Sequence, residues 1–176
     1  MAAQSKTDKA ANKGAMGAAA EDSVKQAAVE ATGKSALPLP RFVSLKSDKV
    51  NVRKGPNTDQ AIVWVFSRAG LPVEVIAESD NWRRVRDSEG ADGWVFHSLL
   101  SARRTVLITP WPKEQTSVPL YSSASTSSRA VASLQAGVLG NVVNCDGEWC
   151  ELSVDDYSGY VQQDQLWGVY KGEEIK

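Results

Sequence analysis

From Arg41 onward the apolar residues fall into short runs rich in Val, Ile, Phe and Trp, separated by Gly, Asn, Asp and Pro. Side chains two apart on a strand share a face, so short runs of this kind bounded by turn residues predict short strands. The runs cover residues 42–45, 50–53, 62–66, 73–77, 82–86 and 93–96. Strands this closely spaced predict an all-β fold of the small-barrel kind.

Residues 1–36 do not share the pattern: they hold twelve alanines, spaced lysines and acids, and no aromatic residue. That segment offers too little apolar area to offset the entropy of ordering it, which predicts a flexible tail. Residues 21–31 favour helix by propensity, yet an isolated helix of that length is marginal in water. Leu37-Pro38-Leu39-Pro40 closes the segment, because paired prolines disfavour helix and hold the backbone extended. The expected division is a tail and proline linker over residues 1–40, with the linker a rigid spacer, and globular structure from Arg41.

The layout recurs once. Displacing the chain by 67 residues places Ala69-Gly70 on Ala136-Gly137, Val75-Ile76 on Val142-Val143, Trp82 on Trp149 and Val85 on Leu152. A slip of one residue then aligns Gly93-Trp94-Val95 with Gly159-Tyr160-Val161 and Leu100 with Leu166, so one loop is a residue shorter in the second copy. Two tandem barrels follow, residues 41–103 and 104–170, with a C-terminal tail over 171–176. Charge divides unequally, with ten basic and eight acidic residues in 41–103 against five and nine in 104–176. The two surfaces are expected to do different work.

The 176 residues carry a net charge of -1, without the positive excess that a nucleic-acid partner requires. No apolar run approaches the ~20 residues of a membrane span, and no window has a basic start followed by a secretory apolar core. His97 is the single histidine, and Cys145 and Cys150 are the only cysteines, so a His-rich metal site or a Cys-His hydrolase lacks its parts. No cofactor and no metal are expected.

Val50-Asn51-Val52-Arg53-Lys54-Gly55-Pro56, followed by Ala69-Gly70, Trp82-x-x-Val85 and Gly93-Trp94-Val95, resembles the bacterial SH3 (SH3b) family. In that family the Val-Arg-x-Gly-Pro segment opens the barrel and the Gly-Trp-Val strand closes it before a terminal Leu. The second copy departs at its start, reading Val118-Pro119-Leu120-Tyr121-Ser122-Ser123 in place of Arg and Gly-Pro, and it has Tyr160 for Trp. Paired copies are similar to small envelope proteins of Gram-negative bacteria. The resemblance implies binding to the cell wall, or service as an accessory domain beside wall hydrolases. The partners it implies are peptidoglycan, its stem peptides or an envelope protein.

Strand parity sets Trp82 opposite Val85 and Trp94 opposite Val95, so both tryptophans are expected outside the barrel core, as are Trp149 and Tyr160 in the second copy. There they either form an aromatic platform for a peptide or sugar, or fill the seam between two barrels that almost no linker separates. The first reading makes the chain a non-catalytic envelope binding module. The second makes it an interaction protein whose barrels form one rigid unit. Arg83, Arg84 and Arg86, with Arg53, Lys54 and Arg103-Arg104, offer a basic patch for wall-peptide carboxylates, Arg84 and Arg86 being the candidate ligands. Its competitor is a solvated face balanced by Asp80, Asp87, Glu89 and Asp92. His97, in strand parity with Val95, reads as structural, and no enzyme activity is expected.

Cys145-Asp146-Gly147-Glu148-Trp149-Cys150 sits where the first copy turns between strands, and Asp-Gly is a hairpin signal. With a four-residue loop the cysteines stand opposite each other within disulfide reach. With a two-residue turn they are diagonal and a bond is strained. The four-residue loop and a disulfide are expected, ahead of two buried thiols or half a metal site. An oxidised pair predicts an exported protein, periplasmic or secreted, whose signal peptide was removed ahead of the polar start.

Overall fold

Residues 35–176 are described by the structure, a computed structural model; the tail and its helix-favouring stretch over 21–31 lie outside the described residues. The first barrel comprises β1 (Arg41–Leu45), β2 (Val50–Arg53), β3 (Ile62–Phe66), β4 (Pro72–Ser79), β5 (Trp82–Arg86), β6 (Asp92–Phe96) and β7 (Leu100–Ser101), with a 3-10 turn at His97–Leu99. The second comprises β8 (Thr105–Ile108), β9 (Ser117–Tyr121), β10 (Ala130–Gln135), β11 (Leu139–Asp146), β12 (Trp149–Val154), β13 (Tyr157–Gln162) and β14 (Leu166–Trp167), with a 3-10 turn at Gln163–Gln165. The two sheets have one topology, β3-β2-β6-β5-β4-β1-β7 and β10-β9-β13-β12-β11-β8-β14. A short β15 (Glu174–Ile175) adds to β11, so the last residues, read from sequence as a tail, pair with the second sheet.

Alternation fills each barrel. Val50 and Val52 of β2, Val73 and Val75 of β4, Val85 of β5 and Val95 of β6 are completely buried, and so are Leu120, Leu152 and Val161 in the second barrel. Close packing also explains the glycine before each closing aromatic. A Cβ on Gly93 would lie 2.4 Å from Val52 Cγ1, and one on Gly159 would lie 2.4 Å from the Tyr121 carbonyl oxygen. His97 begins the 3-10 turn rather than extending β6, and it is exposed, with its ring tilted against Phe96.

The loop differences inferred from the repeat are visible as turn chemistry. In the first barrel the Asp87 side chain accepts the N–H groups of Glu89 and Ala91 to close the β5–β6 turn. In the second, Val154 pairs with Tyr157 across Asp155-Asp156 alone. Cys145 and Cys150 face each other across β11 and β12 and are disulfide-bonded. The intervening loop is closed by Asp146, whose carboxylate accepts the N–H groups of Trp149 and Glu148; these bonds hold its pKa below the ordinary value.

Aromatic packing joins the barrels, but the residues that do it are not Trp82, Trp94, Trp149 and Tyr160. Phe42 of β1 lies edge-on to Trp167, centroids 5.1 Å apart, and against Tyr170 at 4.6 Å. Trp167 Nε1 donates to the Pro72 carbonyl, Thr105 Oγ1 to the Gly70 carbonyl, and Arg68 to the Gly137 carbonyl. Tyr170 donates its hydroxyl proton to Glu74, a carboxylate that also receives Arg86. Burial, then the bond to Glu74, pushes the Tyr170 phenol upward. On the same side Arg104 pairs with Glu173 and donates to the Gly168 carbonyl. Burial raises the Glu173 pKa, but the bond from Arg104 and the Tyr170 N–H outweigh it and hold the carboxyl low.

The proline segment lies against the first barrel instead of spacing it from the tail. Ser35 donates its N–H and its hydroxyl to Glu78, and Leu39 packs on the core. The Glu78 side chain is fully buried and also takes Arg41 and Arg83. Burial pushes its pKa up, yet the bonds from Ser35 and Arg41 prevail and bring it down to about 2.

Candidate functional site

Trp82 opens β5 and Phe96 ends β6, and the ladder sets them opposite each other on the outer face. Their rings meet edge-on, centroids 5.5 Å apart. With Asn51 and Arg53 of β2, Thr58 of the following loop and Leu99 of the 3-10 turn, they line an open groove of about 290 Å³. Trp82 is half-buried, so part of its ring forms the wall of the groove. Trp94 shares this outer face one row along, in register between Arg84 and Arg53, and does not line the groove. Val65, opposite Asn51, and Val63 extend the same face as exposed apolar surface.

Of the basic residues of the expected patch, only Arg53 lines the groove. Arg84 pairs with Asp92, Arg86 turns to Glu74 in the seam, and Arg83 turns to Glu78. Arg53 is a loop staple, its Nη1 donating to the carbonyls of Thr58 at 3.0 Å and Gln60 at 2.8 Å. Beside it a Cβ on Gly55 would lie 2.8 Å from the Gln60 side chain, so the Arg-x-Gly-Pro stretch builds a tight loop. The Glu74 partner raises the pKa of Arg86 further, keeping it a fixed cation of the seam. His97 lies on a different cavity, of about 270 Å³, with Ser35, Arg41 and Arg83.

The corresponding face of the second barrel is built from other residues. Trp149 pairs with Gln162 where Trp82 pairs with Phe96, and Tyr160 pairs with Tyr121 where Trp94 pairs with Arg53. Tyr121 lies edge-on to Trp149, centroids 5.7 Å apart, and Trp149 is buried. The expectation of an open Trp149 platform is therefore corrected: an aromatic partner covers it. Glu151 stands beside Tyr160 at the place of Arg84. The loop after β9, without Arg or Gly-Pro, is closed by serines, with Ser128 Oγ donating to the Ser125 carbonyl at 2.8 Å. A second groove, of about 270 Å³, lies over Pro119, Tyr121, Gln162 and Gln165 and is walled by Trp111 of the preceding loop. Sequence reasoning passed over Trp111 and Gln165 because the first copy has no counterpart to that pairing.

The bacterial SH3 domain family matches residues 46–102 and again residues 114–168. The chain belongs to that family. Bacterial SH3 barrels thus make up most of the described chain, and both copies count as members despite the divergent opening of the second. No curated protein matches the chain. Among solved structures it is similar to NlpC2 from Trichomonas vaginalis, at 18% identity and TM-score 0.32, over 73% of this chain and 48% of that one. NlpC1 from the same organism matches at 18% identity and TM-score 0.33, over 78% and 49%. An NlpC/P60 family protein from Bacillus cereus matches at 11% identity and TM-score 0.28, over 72% and 55%. The chain spans about half the length of these structures. Among the described residues no helix is long and apolar enough to cross a membrane.

Proposed function

We propose that this bacterial SH3 pair is a non-catalytic module of the cell envelope that binds peptidoglycan through its stem peptides, with the Trp82 groove of the first barrel as the contact. The observation that carries the reading is the groove itself: an open, mostly apolar cleft of about 290 Å³ with an aromatic wall and the Asn51 side chain at its edge. An extended peptide presents methyl groups and amides at the spacing such a cleft accepts, and a half-buried indole provides large contact area at little rotamer cost. Membership of the bacterial SH3 family supports a cell-wall ligand. The disulfide supports an extracytoplasmic location, where such bonds persist. Titration of the full chain with soluble muropeptides, followed by tryptophan fluorescence, tests the reading. Saturable binding that fails in Trp82→Ala supports it, and unaltered binding in that variant overturns it.

A protein partner is the second reading, and the edge of the first sheet favours it. Ile62, Val63 and Val65 of β3 are 47%, 48% and 44% exposed on the terminal strand of that sheet, which suits a strand added from another chain. For catalysis the available parts argue against an enzyme. The His97 ring tilts against Phe96, and no carboxylate is hydrogen-bonded to it among the described residues. Hydrolysis of wall fragments by the pure chain, abolished in His97→Ala, would overturn the non-catalytic reading.

A further inference from the structure

The chain between β8 and β9 passes over the second barrel, tied at its ends by the Thr109 N–H to the Gln165 carbonyl and the Ala136 N–H to the Thr116 carbonyl, and at Trp111 by one side chain. Trp111 N–H donates to Gln165 Oε1 at 2.8 Å, and Gln165 Nε2 donates back to the Trp111 carbonyl at 3.1 Å. One amide thus reproduces both halves of a β-bridge and fixes the Trp111 backbone. The first barrel has Leu99 at the place of Gln165, packed on its core, so the second barrel has exchanged an apolar contact for a device that positions this loop. Trp111 is 62% exposed, the highest value among the exposed large hydrophobic residues described. A fixed backbone carrying an open ring is a positioned plate rather than a stray surface residue.

The groove beneath that plate is lined by Trp111, Gln115, Pro119, Tyr121, Gln162 and Gln165, with Val118 at its floor, and no charged side chain lines it. Tyr121 is held from behind by Trp149. Among the described residues the side-chain amides of Gln115 and Gln162 and the Tyr121 hydroxyl have no hydrogen-bond partner. Together they offer donors and acceptors in an uncharged setting. No basic side chain lines the groove to meet an acidic ligand, although the Asp164 carboxylate accepts from Gln165 Nε2 at 3.2 Å beside it, and a purely apolar ligand leaves these groups desolvated and unpaired. A pyranose ring satisfies both demands, because its CH face stacks on an indole while its hydroxyl and acetamido groups bond to amides.

We propose that the second barrel binds a neutral saccharide on Trp111, Tyr121 and Gln162, with Gln165 as the residue that positions Trp111. This goes beyond the stem-peptide reading of the first barrel and stands on different residues, so either can fail alone. The test is titration of the full chain with the β-1,4-linked trimer of N-acetylglucosamine and, separately, with maltotriose, followed by tryptophan emission and by NMR of the indole N–H groups. Saturable binding of either sugar is expected, with the Trp111 indole signal shifting. Trp111→Ala should weaken it about tenfold or more, and Gln162→Ala by several-fold, while Trp82→Ala leaves it unchanged. Gln165→Leu should weaken it while leaving the barrel folded, since Leu occupies the corresponding place in the first copy. No binding of either sugar at about 10 mM, or binding that Trp111→Ala does not alter, overturns the proposal.

Discussion

Glu78 is the residue on which most of the first barrel's polar order at one end depends. It is buried, it gathers Ser35, Arg41 and Arg83, and its pKa is brought down from 4.5 to about 2. A carboxylate whose folded pKa is depressed adds stability above the unfolded value and loses it as pH falls through the folded one. The stabilisation is therefore present above about pH 4.5 and is lost between there and about pH 2. Glu78→Gln should lower stability at pH 7 by about 2 kcal/mol, since it leaves Arg41 and Arg83 facing a neutral group. The same variant should show a flatter stability profile through that acid window, read from urea unfolding across the range. A wild-type profile already flat there would contradict the assignment. The residue scale also shows where sequence reasoning stops. Arg53 belongs to the motif that identifies the family, yet nothing in its neighbours says that the guanidinium will turn back on the Thr58 and Gln60 carbonyls instead of facing a ligand.

Elements were the most legible level. Predicted runs 50–53, 62–66 and 82–86 coincide with β2, β3 and β5, because turn residues bound each run and alternate residues face the core, fully buried in β2 and β5 at Val50, Val52 and Val85 and partly buried in β3 at Trp64 and Phe66. Turn arithmetic was legible too: the four-residue loop between Cys145 and Cys150 and the shorter β12–β13 turn both follow from spacing. What stayed hidden were contacts remote in sequence, such as β15 on β11 and the Trp111 loop on Gln165. Two outcomes belong to this scale. Reduction of the disulfide should cost roughly 2 kcal/mol by loop entropy, measured as a shift of the urea midpoint, and should release amide protection in β15 through its partner Cys145. Gly159→Ala should destabilise the second barrel by about 3 kcal/mol, because the added methyl meets the rigid Tyr121 carbonyl. An unchanged melting temperature in that variant would contradict the close packing of β9 and β13.

At the scale of the whole molecule, repeat pattern and charge asymmetry foretold two barrels with unlike surfaces, and the faces differ residue for residue. Phe96 and Arg84 of the first barrel stand where Gln162 and Glu151 stand in the second. The seam was not legible, since outward parity made Trp82 and Trp149 candidates as good as any, and only the chain's course brings Phe42, Trp167 and Tyr170 together. Phe42→Ala should cost about 3 kcal/mol, read as a lower melting temperature, because Trp167 and Tyr170 lose the ring they pack on while the seam hydrogen bonds remain. An unchanged melting temperature would contradict the place of Phe42 in the seam. The groove reading itself is tested most directly by co-sedimentation of the purified chain with insoluble peptidoglycan at low and high salt, beside folded Trp82→Ala and Trp94→Ala. Stacking survives salt that screens charge. Binding that persists in high salt, fails in Trp82→Ala and is largely kept in Trp94→Ala is the predicted result, and a folded wild type that stays in the supernatant would contradict it.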